Sequence, residues 1–312
     1  MKRIKTKKYG QRLSFKSYMK GHYDLYLMLL PAVIYAAVFL YTPMYGILMA
    51  FEDYSPVKGI IGSPLVGMKH FQKFFSTYAA GQIIGNTIKI SLYSLAASFP
   101  FPIILALMLN YCVSKKFSKA VQTITYMPYF ISVMVLVGMM NIFFSTNYGI
   151  INSFLGLFGA EPFSFMSSEK SFRHLYVWSG IWQGTGYSSV IYFAALAGID
   201  PSLYEAAKLD GAGKWQRIRY IDIPGILPTA IIMLILSAGN IMSVGFEKAY
   251  LMQNDRNSGV SEIISTYVYK VGLIDGRFSF SVAVNLFNSV INFAILILIN
   301  KLSRKVSETS LW

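Results

Sequence analysis

The chain has 312 residues, 54% of them hydrophobic and only 13% charged, with a formal net charge of +14. That is too apolar and too poor in charge for an ordinary soluble domain. A single cysteine, Cys112, excludes an internal disulfide framework and a cysteine-rich metal site, and His22, His70 and His174 show no ligand spacing.

In chain order, the opening segment carries Lys2, Arg3, Lys5, Lys7, Lys8, Arg12, Lys16 and Lys20 and no acid before Asp24. The apolar stretch behind it is too long for a signal-peptide core, so it reads as a retained span. Residues 25–51 lack Asp, Glu, Lys and Arg and can cross ~30 Å of hydrocarbon with tilt. Five more charge-free windows follow, at 90–114, 120–160, 175–199, 223–246 and 278–300. The third is too long for one crossing. Residues 145–149 (Ser-Thr-Asn-Tyr-Gly) break it, leaving a span at about 121–144 and a short helix and loop over 150–165 near the membrane surface.

The expected fold is therefore an all-α integral membrane protein with six transmembrane helices, at about 25–51, 86–111, 121–144, 175–199, 224–246 and 280–300. A basic segment, 1–24, precedes this membrane domain of 25–300, and a tail, 301–312, follows it. Pro31, Pro43, Pro100, Pro102, Pro128 and Pro228 lie in or beside spans, where neighbouring helices or a cavity can satisfy the freed carbonyls. No solenoid repeat or low-complexity tract interrupts the pattern.

Six spans put both termini on one side of the membrane. With the termini cytoplasmic, the inner segments collect the N-terminal cluster, Lys115, Lys116, Lys119, Lys208, Lys214, Arg217, Arg219, Lys301, Arg304 and Lys305. The outer loops are close to neutral, and the positive-inside rule selects this orientation. Topology and anionic lipid explain the basic balance without a nucleic-acid partner. The polar loop 200–224, between spans four and five, then faces the cytoplasm. The outer loops, about 52–84 and 247–277, suit contact with an extracytoplasmic partner or serve simply as connections.

Loop 200–224 has the clearest local signals. Asp200 is a good N-cap and Pro201 suits the first helical position. Residues 203–209 can form two helical turns. Gly211 and Gly213 permit positive φ in a tight turn, and a second short amphipathic helix can follow. Ala206 and Ala207 leave a surface that another protein can approach closely, whereas Glu205, Lys208, Asp210 and Lys214 need water or a partner rather than lipid.

Glu205-Ala206-Ala207, then Asp210-Gly211-Ala212, then Ile221-Asp222-Ile223-Pro224, resembles the cytoplasmic loop of binding-protein-dependent ABC importer permeases. The family pattern has Leu where this chain has Ile223. Flanking stretches at 196–203 and 245–251, together with Gly149-Ile150-Ile151-Asn152 and Asn86-Thr87, resemble the carbohydrate-uptake branch, so the likeness covers roughly residues 20–305. The resemblance implies a multi-pass plasma-membrane subunit of a bacterium that imports an oligosaccharide or sugar derivative. Implied partners are a second, related permease, two cytoplasmic ATPases that hold ATP and Mg, and an extracytoplasmic binding protein. Glu205 would be the polar anchor on the ATPase, Ala206 and Ala207 the close-approach surface, Asp210 and Gly211 the turn, and Ala212 its packing.

No catalytic or metal site is expected. Gly211-Ala212-Gly213-Lys214 lacks the spacing and the following Ser/Thr of a phosphate loop, so ATP belongs on another chain. The charge-free windows hold no carboxylate for a proton relay, which weighs against a secondary transporter, and no constellation supports a membrane enzyme. An ABC permease for a non-sugar solute remains the nearer alternative. Asn285, Asn288 and Asn292 fall on one face of the last helix. With Asn240, Ser243, Gln183, Ser188, Ser189 and Asn141 they can line a hydrogen-bonding pathway, or they can be interhelical glue contributing about 0.6 kcal/mol each. Tyr126, Tyr129, Phe130 and Trp178 could stack on sugar rings.

Overall fold

The computed structural model describes residues 23–306, so the basic segment up to residue 22 and the last six residues lie outside the described part. Among the described residues the chain is helical throughout, its only β feature a single bridge between Glu52 and Leu65. The first helix, α1 (Tyr23–Phe51), is 29 residues long, about 43 Å at 1.5 Å per residue. It passes through a π-helical stretch, Ala36–Tyr41, and ends as a 3-10 helix, Tyr45–Phe51. Both distortions flank Pro43, and the Thr42 hydroxyl donates to the Ala37 carbonyl at 2.9 Å. Proline removes a helical donor, so the ladder shifts register around it.

A short helix, α2 (Lys69–Ser76), leads into α3 (Ala79–Asn110), which continues through Pro100 and Pro102 as one long helix. Next comes α4 (Lys115–Phe130), started by Ser114, whose hydroxyl accepts from the Phe117 N–H. Pro128 closes α4 in a 3-10 turn, Ile131 is extended, and Ser132 caps α5 (Val133–Phe143). The axes of α4 and α5 differ by 97°. The single span expected over 121–144 is thus broken in two, because Pro128 and the Ser132 cap act together where Pro128 alone reads as tolerable.

The break at 145–149 and the short helix α6 (Ile150–Gly156) occur where the sequence signals them. Asn152 clamps the following loop: its amide donates to Ser145 O and Phe163 O and accepts from Phe163 N, all at 2.9–3.0 Å. The central helix, α7 (Glu169–Ala197), packs against α3, α4 and the fifth apolar segment. At Gly186 the backbones of α7 and α4 touch, and a Cβ there would lie 2.0 Å from the Thr125 carbonyl oxygen. Close approach of this kind is how helices associate where lipid offers no hydrophobic drive.

Helix α8 (Pro201–Leu209) is followed by α9 (Lys214–Ala238). The helix that carries the expected fifth span therefore begins at Lys214, inside the loop assigned to 200–224, and ends at Ala238, short of residue 246. Asn240 and Ser243 sit in the turns after it, not on the helix. Short helices α10 (Phe246–Met252), α11 (Ser258–Ser261) and α12 (Ile264–Tyr269) precede the last helix, α13 (Phe278–Val306).

Four helices, α1, α3, α9 and α13, are long and apolar enough to cross a membrane, and α4 with α5 makes a fifth if counted as one broken span. The expected fourth span, α7, has the length, at 29 residues. Its Ser, Gly, Gln and aromatic content keeps it below the apolarity of the others. Its place at the centre explains that composition, since a helix packed on several neighbours need not be greasy all round. Three apolar clusters hold the bundle: Ile90, Val137 and Phe172 join α3, α5 and α7; Phe74, Ile83 and Val284 join α2, α3 and α13; Ala106, Leu196 and Ile226 join α3, α7 and α9. Helix α1 contacts the rest chiefly through its last turns, and none of its most apolar stretch is buried.

Candidate coupling surface and substrate cavity

The Asp200 carboxylate accepts from the Ser202 N–H at 2.9 Å, capping α8, and that bond holds its carboxyl below the usual carboxylate range. At the other end Gly211 adopts φ +76°, with its N–H donating to Lys208 O at 3.1 Å and the Ala212 N–H donating to Ala207 O at 2.8 Å. These two bonds form a Schellman cap, so the turn is set by the Gly211 backbone. Gly213, by contrast, has an ordinary φ of −71°, and its N–H donates to Gln216 Oε1 at the start of α9. Glu205, Ala206, Asp210 and Gly211 are exposed, and Ala207 and Ala212 half-buried. Leu209 and Trp215 beside them are 89% and 83% exposed. The result is a two-helix knob with apolar and charged groups presented together.

The knob is tied to the bundle by a residue whose role the sequence did not reveal. Asp222 is fully buried at the foot of α9. Its Oδ1 accepts from the Tyr204 hydroxyl of α8 at 2.5 Å, and its Oδ2 from the Tyr111 hydroxyl beyond α3 at 2.6 Å. Burial, and then the bond to Asp222, raise the Tyr204 phenol well above its ordinary range. The Arg217 guanidinium lies 5.7 Å from the Tyr111 ring centroid. One carboxylate thus joins three helices. The only sequence signal was an acid placed between isoleucines just before Pro224.

Between α3, α7 and the end of α9 lies a cavity of about 390 Å³. Ser91, Ser94 and Ser98 of α3, Gln183 of α7, and Ser237, Asn240 and Ser243 supply its polar wall. A second cavity of about 220 Å³ adjoins it and shares Ser98, Gly180 and Ser237, extending to Ser188 and Tyr192. The Ser94 hydroxyl is buried without a hydrogen-bond partner among the described residues. Lys248 of α10 also lines the main cavity. It is 8% exposed, and burial lowers its ammonium to about 8. Concave sites of this size with a few converging polar groups are where small molecules bind.

Gln183 and Asn240 therefore stand together as pathway candidates. Gln183 also donates to the Ile131 carbonyl at 2.7 Å, satisfying the break between α4 and α5. Asn292 has a supporting place: it accepts from Met242 N at 2.8 Å and donates to Ser243 Oγ at 2.9 Å, bracing the cavity rim. Asn285, exposed, and Asn288, buried with an unpartnered Oδ1, are not part of the cavity wall. Tyr126 is half-buried outside it. Tyr129 stacks on Tyr187 at 4.0 Å between ring centroids, and Trp178 donates to the Tyr93 hydroxyl, so these rings serve packing. The serine face Ser91/Ser94/Ser98, at i, i+3 and i+7, was the overlooked signal.

An all-helical bundle of long apolar helices, with an internal polar cleft and an exposed knob fastened to its base, defines a membrane transport subunit rather than an enzyme. Residues 98–308 match the family described as binding-protein-dependent transport system inner membrane component. The chain belongs to that family, and so is a multi-pass inner-membrane permease. It is 41% identical to the polygalacturonan/rhamnogalacturonan transport system permease protein YteP of Bacillus subtilis (strain 168), over 92% of this chain and 90% of that one. Protein LplB of the same organism is 37% identical over 97% of this chain and 95% of its own length. A solved bacterial alginate ABC transporter, in complex with an alginate pentasaccharide-bound periplasmic protein, superposes with a TM-score of 0.88 at 37% identity. That match covers 95% of this chain and 99% of the other.

Proposed function

We propose that this chain is one of two permease halves of an ATP-driven importer for an oligosaccharide or sugar derivative. Its six spans, with α7 and the broken α4–α5 pair counted as crossings, leave both termini in the cytoplasm. The knob of α8 and the start of α9 seats on an ATPase that carries ATP and Mg. Glu205 anchors it there, Ala206 and Ala207 allow close approach, and the Gly211 turn with Asp210 and Ala212 keeps it rigid. A second, related permease completes the pathway. An extracytoplasmic binding protein delivers cargo to the outer loops.

Tethering of α8 to α3 and α9 through Asp222 is the observation that carries the reading. A knob joined to the bundle by a buried carboxylate can transmit a displacement, whereas a solvated surface turn would absorb it. When the ATPases close, the knob moves as a body and tilts α3 and α9, the helices that wall the central cavity. Hydroxyl and amide groups along that cavity suit a polyhydroxylated cargo, and the relatives named for polygalacturonan/rhamnogalacturonan and alginate transport support the carbohydrate class. The test is to tag the chain, extract it gently from its native membrane and identify what co-purifies. A second permease and an ATPase are expected. A homogeneous chain that transports after reconstitution without ATP would overturn the reading in favour of a secondary transporter.

A further inference from the structure

Lys248 is a buried cation without an anion. Among the described residues the ion pairs are Lys69 and His70 with Asp53, and Lys270 with Glu262. Lys270 is instructive, because it lies in the same loop region, is less buried, and is neutralised at 2.6 Å. Lys248 receives no such partner. Its Nζ donates to the Tyr176 carbonyl at 2.7 Å and lies 4.8 Å from the Tyr176 ring centroid. The carbonyl takes one of the three ammonium N–H donors, and the other two have no hydrogen-bond acceptor among the described residues. Glu247, next in the chain, is exposed and makes no ion pair with Lys248 among the described residues. Removing a charge from water without a counter-charge is expensive, and proteins retain such groups mainly at functional sites.

The surroundings keep that charge accessible to a ligand. Gly180 of α7 faces Nζ, and a Cβ there would approach it to 3.2 Å. Gly180 also lines both cavities, so the missing side chain opens the space between ammonium and cleft. The unpartnered Ser94 hydroxyl belongs to the same wall. A cation, a spare hydroxyl, and the amides of Gln183 and Asn240 together match a group that is anionic on one side and hydroxylated on the other.

We propose that Lys248 recognises a carboxylate on the cargo, so that the transported saccharide carries uronic-acid residues rather than being neutral. This rests on the carbohydrate reading and narrows it. Lys248 sits where α10 meets the cavity, and a sugar carboxylate entering from the outer side would replace the missing counter-charge. Neutral saccharides would leave the ammonium unpaired.

The test is equilibrium titration of the purified complete transporter, with its partner permease and ATPases, using trigalacturonate and its fully methyl-esterified form as probes. The two differ in charge and little else. The wild-type complex is expected to bind the acid about tenfold or more tighter than the ester, the scale of one charge-assisted hydrogen bond. Lys248→Met should erase that preference, and Lys248→Arg should keep it. Equal affinity of the wild type for both probes, a comparison that needs no variant, would overturn the inference and leave carbohydrate transport standing. Retention of the preference by Lys248→Met would do the same. Binding of neither probe by a complex that hydrolyses ATP would overturn the inference and the carbohydrate reading together.

Discussion

Asp222 concentrates the attachment of the knob to the bundle in one side chain. It accepts one hydroxyl on each carboxylate oxygen, from Tyr204 and Tyr111, with no exposed surface of its own. Hydrogen bonds to a charged group are worth about 1.5–3 kcal/mol net, and a buried hydroxyl left without its acceptor costs about 1–3 kcal/mol. Asp222→Ala removes both bonds and frees α8 from α3 and α9. We predict that the Asp222→Ala transporter keeps ATP hydrolysis but loses uptake by about tenfold or more, one such bond converted to a rate. Tyr204→Phe, which deletes only the bond between α8 and α9, should fall between this variant and the wild type. The check is ATPase activity and uptake measured side by side in reconstituted transporter. Unchanged uptake in Asp222→Ala would make the triad a local packing feature.

At the scale of the element, the knob depends on how its first helix stops. Gly211 lies in the left-handed region at φ +76°, and its N–H closes one bond of the cap. Residues other than glycine lose roughly 1–2 kcal/mol in that conformation, with Asn the mildest. Gly211→Pro also deletes the N–H donated to Lys208, so it should abolish uptake while the chain still inserts in the membrane. Gly211→Asn should retain most activity; loss of uptake in both variants together with loss of insertion would point to a folding role instead. These features were legible because they are local: Asp200, Pro201 and Gly211 act on the backbone within a few residues of themselves. What escaped the sequence was set by tertiary packing. Pro128 and Ser132 jointly turn α5 away from α4, which an apolar window does not show. Lys214, Arg217 and Arg219 read as a separate short helix within the loop, although a single helix runs from them into the apolar segment. Gln183 and Asn240 stood out as amides in charge-free windows, whereas Lys248 lay in an apparent outer loop and only the fold shows it buried against Tyr176. Asn292 was noticed, but its bonds to Met242 and Ser243 make it a brace.

Taken as a molecule, the chain is lopsided: α3 and α7 share two of the apolar clusters, while α1 exposes almost its whole apolar surface. That surface suits lipid or the proposed second permease, and the proposed six-span arrangement with inner termini would place the knob opposite the loops proposed to meet a binding protein. The single cysteine makes this topology directly measurable. Cys112 is half-buried, and Cys112→Ser gives a background in which introduced thiols report alone. Val57 in the first outer loop and Leu157 after α6 are 95% and 80% exposed, and on the inner side Val113 and Leu209 are 93% and 89% exposed. We predict that a membrane-impermeant maleimide added to intact cells or spheroplasts labels Val57→Cys and Leu157→Cys but neither Val113→Cys nor Leu209→Cys. Opening the membrane should make all four reactive. Labelling of Leu209→Cys from outside would place the knob away from any cytoplasmic ATPase and overturn the coupling scheme. Labelling of Val57→Cys and protection of Leu157→Cys would instead mean that α4 and α5 enter and leave on the same side, as a re-entrant pair. The 97° bend between them gives that alternative a structural basis. An odd number of crossings before α7 would then have to be restored elsewhere for the α8 knob to remain inside, so the four positions together fix the path of the chain.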